Sequence, residues 1–413
     1  MKIWDVIIIG AGASGLIAAG RAAELGAKVL LLEKNKQVGI KLLMSGGGRC
    51  NFTNYSSTNI FAQALGENGK WLLSALSNFG SQDVINFFES KGIKTKVEDN
   101  NRVFPVSNKA QDILKTLLAY NQEYGVQIKT EIRVKDLVSN NNKIEKVILT
   151  DGGEFRAKQY IIATGGSSYP HSGSSGDAYS WLKSLGHTLV KPRPSLSQIY
   201  IKNHPLILEG LSLDLVSLQI MQDNKKIASE SGSIIFTARG ISGPTAINLS
   251  RYISLLSNKK LKLKIDFLPA IKNEELDLKI REFVSQYPRH NLKNILTGLV
   301  PKRLLEYLLA DIGLDDDLRG DEFTRSQRLN LVEVLKNYSF DIGGVGDFNE
   351  AMVTGGGLNL KEVNGKTMHS KLISNLYLAG ECLDLDGPTG GYNLQIAWST
   401  GFVAGESAAT KLD

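Results

Sequence analysis

The chain has 413 residues, 42% hydrophobic and 22% charged, an ordinary globular balance with room for two or three domains. Its two cysteines, Cys50 and Cys382, are far apart and lack Cys-x-x-Cys spacing, which argues against a disulfide scaffold or a zinc site and suits a reducing cytoplasm. The net charge of +6 permits an anionic partner without requiring one, and the 41 glycines are clustered, as where backbone must approach a ligand.

From the N-terminus, Ile3–Ile9 is a β-branched run that predicts a buried parallel strand. A glycine turn and a helix from Ser14 to Leu25 follow, stopped at Gly26. The uncharged stretch Val6–Gly20 resembles a signal core, but no basic segment precedes it and a bilayer span needs about 20 apolar residues. Neither an export signal nor a membrane span is therefore expected. Lys28–Leu32 predicts a second strand, ending on Glu33. Trp71–Tyr124 reads as largely helical, with helical spacing at Val84, Phe87 and Phe88 and at Ile113, Leu114, Leu117 and Leu118. Within it, Thr95–Val97 and Arg102–Phe104 flank an Asp-Asn-Asn turn and predict a hairpin.

Short strands are expected over Val126–Thr150, with a turn at Asn140–Asn142, and Tyr160–Ala163 predicts a parallel strand running into Thr164-Gly165-Gly166. Lys191-Pro192-Arg193-Pro194 marks a domain crossing. Strand-like sequence then continues to about Phe267 and helical sequence from Asn273 to Tyr338, before glycine-rich texture returns at Gly355-Gly356-Gly357. The layout predicted is an α/β nucleotide-binding domain over 1–190, an inserted β domain over 191–270, a helical subdomain of the insert over 271–340, and a return to the first domain over 341–413.

Gly10-Ala11-Gly12-Ala13-Ser14-Gly15 is a G-x-G-x-x-G run directly after a strand and opening a helix. The first glycine permits the turn, the second admits a pyrophosphate, and the third lets helix and strand pack closely. The helix N-terminus offers N–H groups to the phosphates. Glu33 ends the second strand where an acid accepts ribose hydroxyls, and its charge disfavours a 2′-phosphate, so FAD or NAD fits better than NADP. This fingerprint does not separate FAD from NAD. A further loop, Ser45-Gly46-Gly47-Gly48-Arg49-Cys50-Asn51, offers room for a ring system and an Arg to neutralise pyrophosphate.

The run Lys41-Leu42-Leu43-Met44-Ser45-Gly46-Gly47-Gly48-Arg49-Cys50-Asn51-Phe52-Thr53-Asn54 resembles the signature of a bacterial family of NAD(P)/FAD-dependent oxidoreductases. Its members carry names such as aminoacetone oxidase, bile-acid enone reductase and ribosomal RNA dihydrouridine synthase. The resemblance continues in Ile162–Gly166, Gly176–Ala178, Phe236–Pro244, Thr354–Gly357, Asn375–Glu381 and Gly390–Gln395. Two positions depart from it: Ala238 where His is common, and His369 where an acid is common.

The resemblance implies a discontinuous FAD-binding Rossmann domain of the glutathione-reductase type, interrupted by the family's insert. It implies that Glu381, after Gly380, approaches the ribityl or pyrophosphate region. The helix beginning near Tyr392, after Gly391, would aim its N-terminus at the flavin's pyrimidine edge, where reduction places negative charge. The expected cofactor positions are thus Gly10, Gly12, Ala13, Ser14, Gly15, Glu33, Lys34, Lys41, Ser45, Gly46, Gly47, Gly48, Arg49, Cys50, Asn51, Ala163, Thr164, Gly165, Gly166, Gly380, Glu381, Gly391, Tyr392 and Asn393.

No second G-x-G-x-x-G in a strand–helix setting and no redox Cys pair is visible, so NAD(P)H is expected to dock transiently, or another small reductant to serve. Without a disulfide relay, a flavoprotein commonly moves a hydride between N5 and a substrate carbon. Reducing a polarised C=C also requires a proton and a donor for the enolate oxygen. Tyr392, Asn393 and Arg49 are the catalytic candidates, with Asn51, Tyr169 and His171 nearby in the motifs, while His187 and His204 read as ordinary surface or core histidines.

Two basic patches lie in the insert: Lys259, Lys260, Lys262 and Lys264, then Arg289, His290, Lys293, Lys302 and Arg303. In the second, Leu292, Ile295, Leu296 and Leu299 alternate with the charges, which fits a helix packing on its own domain or a phosphate-tracking RNA surface. The leading expectation is reduction of an activated C=C, with a uridine of large-subunit ribosomal RNA as substrate. The alternatives are a small-molecule reductase or amine oxidase, and a flavin-bound RNA-binding protein without turnover. Neither metal nor membrane is expected as a partner.

Overall fold

The computed structural model describes residues 3–256, 260–315 and 317–412; Lys259 of the first basic patch lies outside them. The chain divides into two compact units, Met1–Ser195 with Phe348–Asp413, and Leu196–Asp347.

The first unit is built on a seven-stranded sheet. Its strands are β1 (Ile3–Ile9), β2 (Val29–Leu32), β3 (Gln127–Lys129), β4 (Val134–Asn140), β5 (Lys143–Leu149), β6 (Glu154–Ile162) and, further on, a short strand Leu376–Leu378. The order is β3-β2-β1-β6-β5-β4, with Leu376–Leu378 also on β6. β1, β2, β3, Leu376–Leu378 and the end of β6 run parallel, whereas β4 and β5 are antiparallel. All four residues of β2 are buried, as expected for a parallel strand covered on both faces. β6 begins at Glu154, earlier than the apolar run at Tyr160 predicts, because Glu154 and Phe155 pair with β5 and Arg156 and Ala157 already pair with β1, at a partly exposed end.

Of the helices in this unit, α1 (Ala13–Glu24) packs between α2 (Ala110–Glu123) and α3 (Tyr392–Thr410). α1 is rich in Ala and Gly, which lets both neighbours approach closely. A Cβ on Gly20 would lie 2.1 Å from the Tyr120 ring of α2, and Cβ atoms on Gly401 and Gly405 of α3 would lie 2.4 and 2.3 Å from the carbonyl oxygens of Ser14 and Ala18. The last helix of the chain is thereby seated on the first.

The Pro-rich segment read as a crossing lies in a strand, β7 (Leu189–Ser195), antiparallel to β8 (Val353–Leu358). Proline cannot donate to a ladder, and the register shifts between Val190 and Arg193, around Pro192.

The second unit is a closed six-stranded barrel of Ile199–Ile201, Ser212–Gln222, Lys225–Thr237, Gly240–Ser242, Leu261–Asp266 and Tyr338–Val345, all paired antiparallel. Helices Asn273–Gln286, Lys302–Asp311 and Arg325–Asn337 lie between its last two strands in sequence. Each unit has its own apolar core.

Candidate functional site

The glycine turn after β1 has the geometry its spacing predicts. Gly10 adopts φ +103°, and a Cβ there would lie 2.5 Å from the Ala163 carbonyl oxygen at the end of β6. A Cβ on Gly15 would lie 1.8 Å from the Gly10 oxygen, so only glycine fits either place. Gly12 differs: nothing stands within 4 Å of its Cβ position, and it starts α1 without a side-chain cap. The helix therefore presents N–H groups of Ala13 and Ser14 beside open space.

Glu33, 9% exposed, accepts the Ala11 amide at 2.9 Å through Oε2 and the Asn35 amide at 2.9 Å through Oε1. It braces the turn, and each oxygen keeps a lone pair for a further donor. Lys34 pairs with Asp177 at 2.6 Å. Burial alone raises the Asp177 carboxyl, but hydrogen bonds from Lys34 and Ser175 and the Lys34 charge outweigh it, so it titrates below the ordinary value.

In the second glycine loop, Gly46, Gly47 and Gly48 have φ of 57°, 66° and 84°. Ser45 Oγ donates to the Leu42 carbonyl at 2.6 Å. Arg49 turns toward the hairpin, donating to Asn108 at 2.8 and 3.1 Å, pairing with Glu98 and lying 4.2 Å from the Phe104 ring centre. Cys50 and Cys382 are both free and buried, and burial pushes each thiol up to about 12. Neither carries the thiolate that a disulfide relay needs.

The third element joins the two ends of the chain. Lys41 Nζ lies 2.7 and 3.0 Å from the Glu381 carboxylate, whose Oε1 accepts the Thr354 amide at 2.9 Å. Thr354, fully buried, accepts the amides of Ser167 and Ser168 at 2.8 and 3.0 Å through Oγ1. A Cβ on Gly166 would lie 2.4 Å from Thr354 Oγ1 and 2.9 Å from Glu381 Oε1, and one on Gly380 would lie 2.5 Å from Ser14 Oγ. Gly165 has φ +78°. Thr354 precedes Gly355-Gly356-Gly357, and a lone Thr before three glycines carries no spacing signal of its own.

α3 starts at Gly391, φ 98°, whose Cβ would lie 2.3 Å from the Thr53 carbonyl carbon, so the helix N-terminus rests on the segment leaving the second glycine loop. Asn54 Nδ2 donates to the Gly390 carbonyl at 3.0 Å, and Trp398 Nε1 to the Phe52 carbonyl at 2.8 Å. The Tyr392 ring packs on Phe61 at 4.6 Å. Asn393 accepts the Gly387 amide at 2.8 Å and donates to the carbonyls of Gly387 and Pro388 at 2.9 and 3.2 Å, closing the loop before the helix. Two of the three catalytic candidates, Asn393 and Arg49, thus spend their polar atoms on loop architecture.

A neighbouring acid pair, Asp384 and Asp386, lies in the run Leu383-Asp384-Leu385-Asp386, which carries no motif spacing of its own. Asp386 accepts Ser195 Oγ at 2.8 Å and pairs with Arg193 at 3.4 Å, and Asp384 accepts Asn68 Nδ2 at 3.2 Å, its carboxyl raised by burial. Away from this group, His187 is a buried strut between Glu362 at 2.9 Å and Ser370 at 3.0 Å. His204 stacks near Phe236, and burial lowers its titration. Tyr169 and His171 meet edge to face at 5.6 Å. His369 bonds the Ser374 carbonyl at 2.9 Å.

Glycine turns that a Cβ would block, an uncapped helix start beside open space, and buried Asn51 Oδ1 and Thr164 Oγ1 with no partner among the described residues fit a bound dinucleotide. Among the described residues, no group of three or more His, Cys, Asp or Glu is arranged to hold a metal, and no helix is long and apolar enough to cross a membrane.

Comparison with known proteins agrees with this chemistry. The HI0933-like protein Rossmann domain family matches residues 4–407. A 3-dehydro-bile acid delta(4,6)-reductase of Clostridium scindens is 34% identical over 409 residues, 98% of each chain. Ribosomal RNA dihydrouridine synthases of Haemophilus influenzae and Escherichia coli are 33% and 30% identical, over 96% and 98% of each chain. In fold, the chain is similar to a 3-ketosteroid-delta4-(5alpha)-dehydrogenase of Rhodococcus jostii, with TM-score 0.55 and 16% identity over 99% of this chain and 97% of that one. It is similar also to a flavocytochrome c3 fumarate reductase, with TM-score 0.53 and 18% identity over 100% of this chain and 79% of that one. The chain belongs to the HI0933-like family of FAD-dependent oxidoreductases, built on a discontinuous FAD-binding Rossmann fold of the glutathione-reductase type.

Proposed function

We propose that the chain reduces a C=C bond conjugated to a carbonyl, and that its substrate is a uridine of large-subunit ribosomal RNA, converted to dihydrouridine. The observation that carries this reading is the set of three relatives matched over at least 96% of their length, named as a bile-acid delta(4,6)-reductase and as ribosomal RNA dihydrouridine synthases. Dihydrouridine is uridine with one ring C=C saturated, so both names describe the same class of step. The buried, unpaired thiols support a reduction that does not pass through a disulfide.

FAD, when bound, supplies the hydride, and NAD(P)H or another small reductant replenishes it. The residues of the chain hold and tune. Gly10, Gly12, Ala13, Ser14 and Gly15 would take the pyrophosphate, and Glu33 the adenosine ribose, with Lys34 alongside. Ala163 through Gly166 would back the pyrophosphate turn, and Ser45 through Asn51, Lys41, Gly380 and Glu381 would line the rest of the dinucleotide. The α3 N-terminus at Gly391 favours negative charge in front of it. Tyr392 would donate to the developing enolate oxygen, while Asn393 and Arg49 would position the loop and hairpin that frame it. Removing the phenol alone, in Tyr392→Phe, is expected to lower kcat by about 10²-fold or more while FAD remains bound.

The insert's basic residues would meet the RNA backbone. Lys262 is exposed on a barrel strand, and Arg289, His290 and Lys302 are exposed in the helical part. Leu292, Ile295 and Leu296 are buried in the unit's own core, so these apolar positions serve packing and the charges face outward. Neutralising Lys302 with Arg289 is expected to weaken RNA binding and flatten its salt dependence. A reducing cytoplasm suits both the substrate and the free thiols.

A second reading, reduction of a small enone, is favoured by the 34% identity to the bile-acid reductase. Mapping dihydrouridine in large-subunit rRNA with and without the gene separates the two: one lost site supports RNA, and an unchanged map removes it.

A further inference from the structure

Ser174 carries a hydroxyl that the fold leaves unused. The residue is 5% exposed, and its Oγ has no hydrogen-bond partner among the described residues. The same is true of Thr164 Oγ1. Buried hydroxyls without partners are costly and rare, so two on neighbouring segments call for an external partner.

Their surroundings define its chemistry. Gly165, at φ +78°, brings the two residues together, since a Cβ there would lie 2.9 Å from Ser174 Oγ. On one side, Thr164 backs the pyrophosphate turn, its Cα 2.9 Å from a Cβ on Gly10. On the other, the loop rests on the end of β2, where Asn35 Nδ2 donates to the Ser172 carbonyl at 3.0 Å and a Cβ on Gly173 would lie 2.3 Å from Asn35 Nδ2. The Asn35 amide in turn bonds Glu33. The segments that carry the two hydroxyls therefore touch the glycine turn at Thr164 and, through Ser172 and Gly173, the Asn35 that bonds Glu33.

We infer that Ser174, with Thr164, hydrogen-bonds the phosphate and ribose oxygens of the ADP half of FAD, a binding position beyond the glycine fingerprint. The inference rests on the FAD-binding reading of the site. Supplying the missing partner from the ligand means the hydroxyls cost stability in the empty protein and return it on binding.

The test uses the full chain stripped of flavin, with FAD titrated by fluorescence, ADP by calorimetry, and melting of the empty protein recorded. Ser174→Ala and the near-isosteric Thr164→Val are each expected to raise the Kd for both FAD and ADP by about tenfold, the scale of one lost hydrogen bond. The empty variants should melt at the wild-type temperature or above it. Kd values within about twofold of wild type in both variants, or a loss confined to FAD with ADP unaffected, would overturn the inference while leaving FAD binding intact. Should Ser174→Ala not fold, Thr164→Val decides alone. A wild-type chain that binds no FAD overturns the broader reading instead.

Discussion

Glu33 shows how one side chain serves both scaffold and ligand. Its two oxygens hold the amides of Ala11 and Asn35, so the acid fixes the turn that it is also expected to complete with a ribose. Glu33→Ala should therefore lower the stability of the empty protein, by about 1–3 kcal/mol, and also weaken FAD retention. Equal flavin occupancy in the mutant would contradict the adenosine assignment. Asp177 makes a pH-dependent contribution. Its carboxyl titrates lower in the folded protein than unfolded, so the stability it adds is present above its unfolded value and is lost as pH falls through the folded one. Wild type and Asp177→Asn should accordingly differ in Tm near neutrality, begin to converge only as pH falls below about 4, and coincide once pH is below the folded value. The thiols give a third check. With both pushed up to about 12 by burial, native protein should resist alkylation at pH 8, whereas the denatured chain exposes both cysteines to labelling.

At the scale of elements, the contact of α1 with α3 couples the first and last segments of the chain. Gly401 has no room for a side chain against the Ser14 carbonyl, 2.4 Å from its Cβ position. Gly401→Val should cost about 1–3 kcal/mol or more by overpacking and should impair FAD binding through displacement of Ser14. Restored FAD affinity in a destabilised variant would show that the helix contact is structural only. The same elements mark what sequence could reveal. β1, β2 and α1 were legible because a continuous apolar run, a glycine turn and a helical stretch each carry a local signal. The start of β6 was not, because the charged Arg156 and Lys158 interrupt the apolar run and its antiparallel pairing with β5 is confined to Glu154 and Phe155. Two prolines disguised β7, whose pairing with β8 depends on residues more than 150 positions away. The glycine turns themselves carry a local signal of the same kind as α1. The contacts of Thr354, Asp384 and Asp386 were not legible, because they depend on which loops meet.

At the scale of the molecule, chain ends that are remote in sequence build one half, and a self-contained insert builds the other. The insert closes its own barrel, and Ile199 near its start pairs with Val345 near its end. β7 and β8 pair likewise in the first unit. Residues 196–347 expressed alone should therefore unfold cooperatively, since the barrel and helices share one core. A change of texture near Lys191 is visible in sequence, but closure of the barrel is not, because pairing across long separations leaves no local trace. The central claim is that glycine-rich backbone from both termini encloses one FAD. The most direct measurement is the flavin content of the purified full chain, by visible absorption and by identifying what denaturation releases. The account predicts a yellow protein that releases one FAD per chain and bleaches on anaerobic reduction. A colourless protein that FAD cannot reconstitute would contradict it.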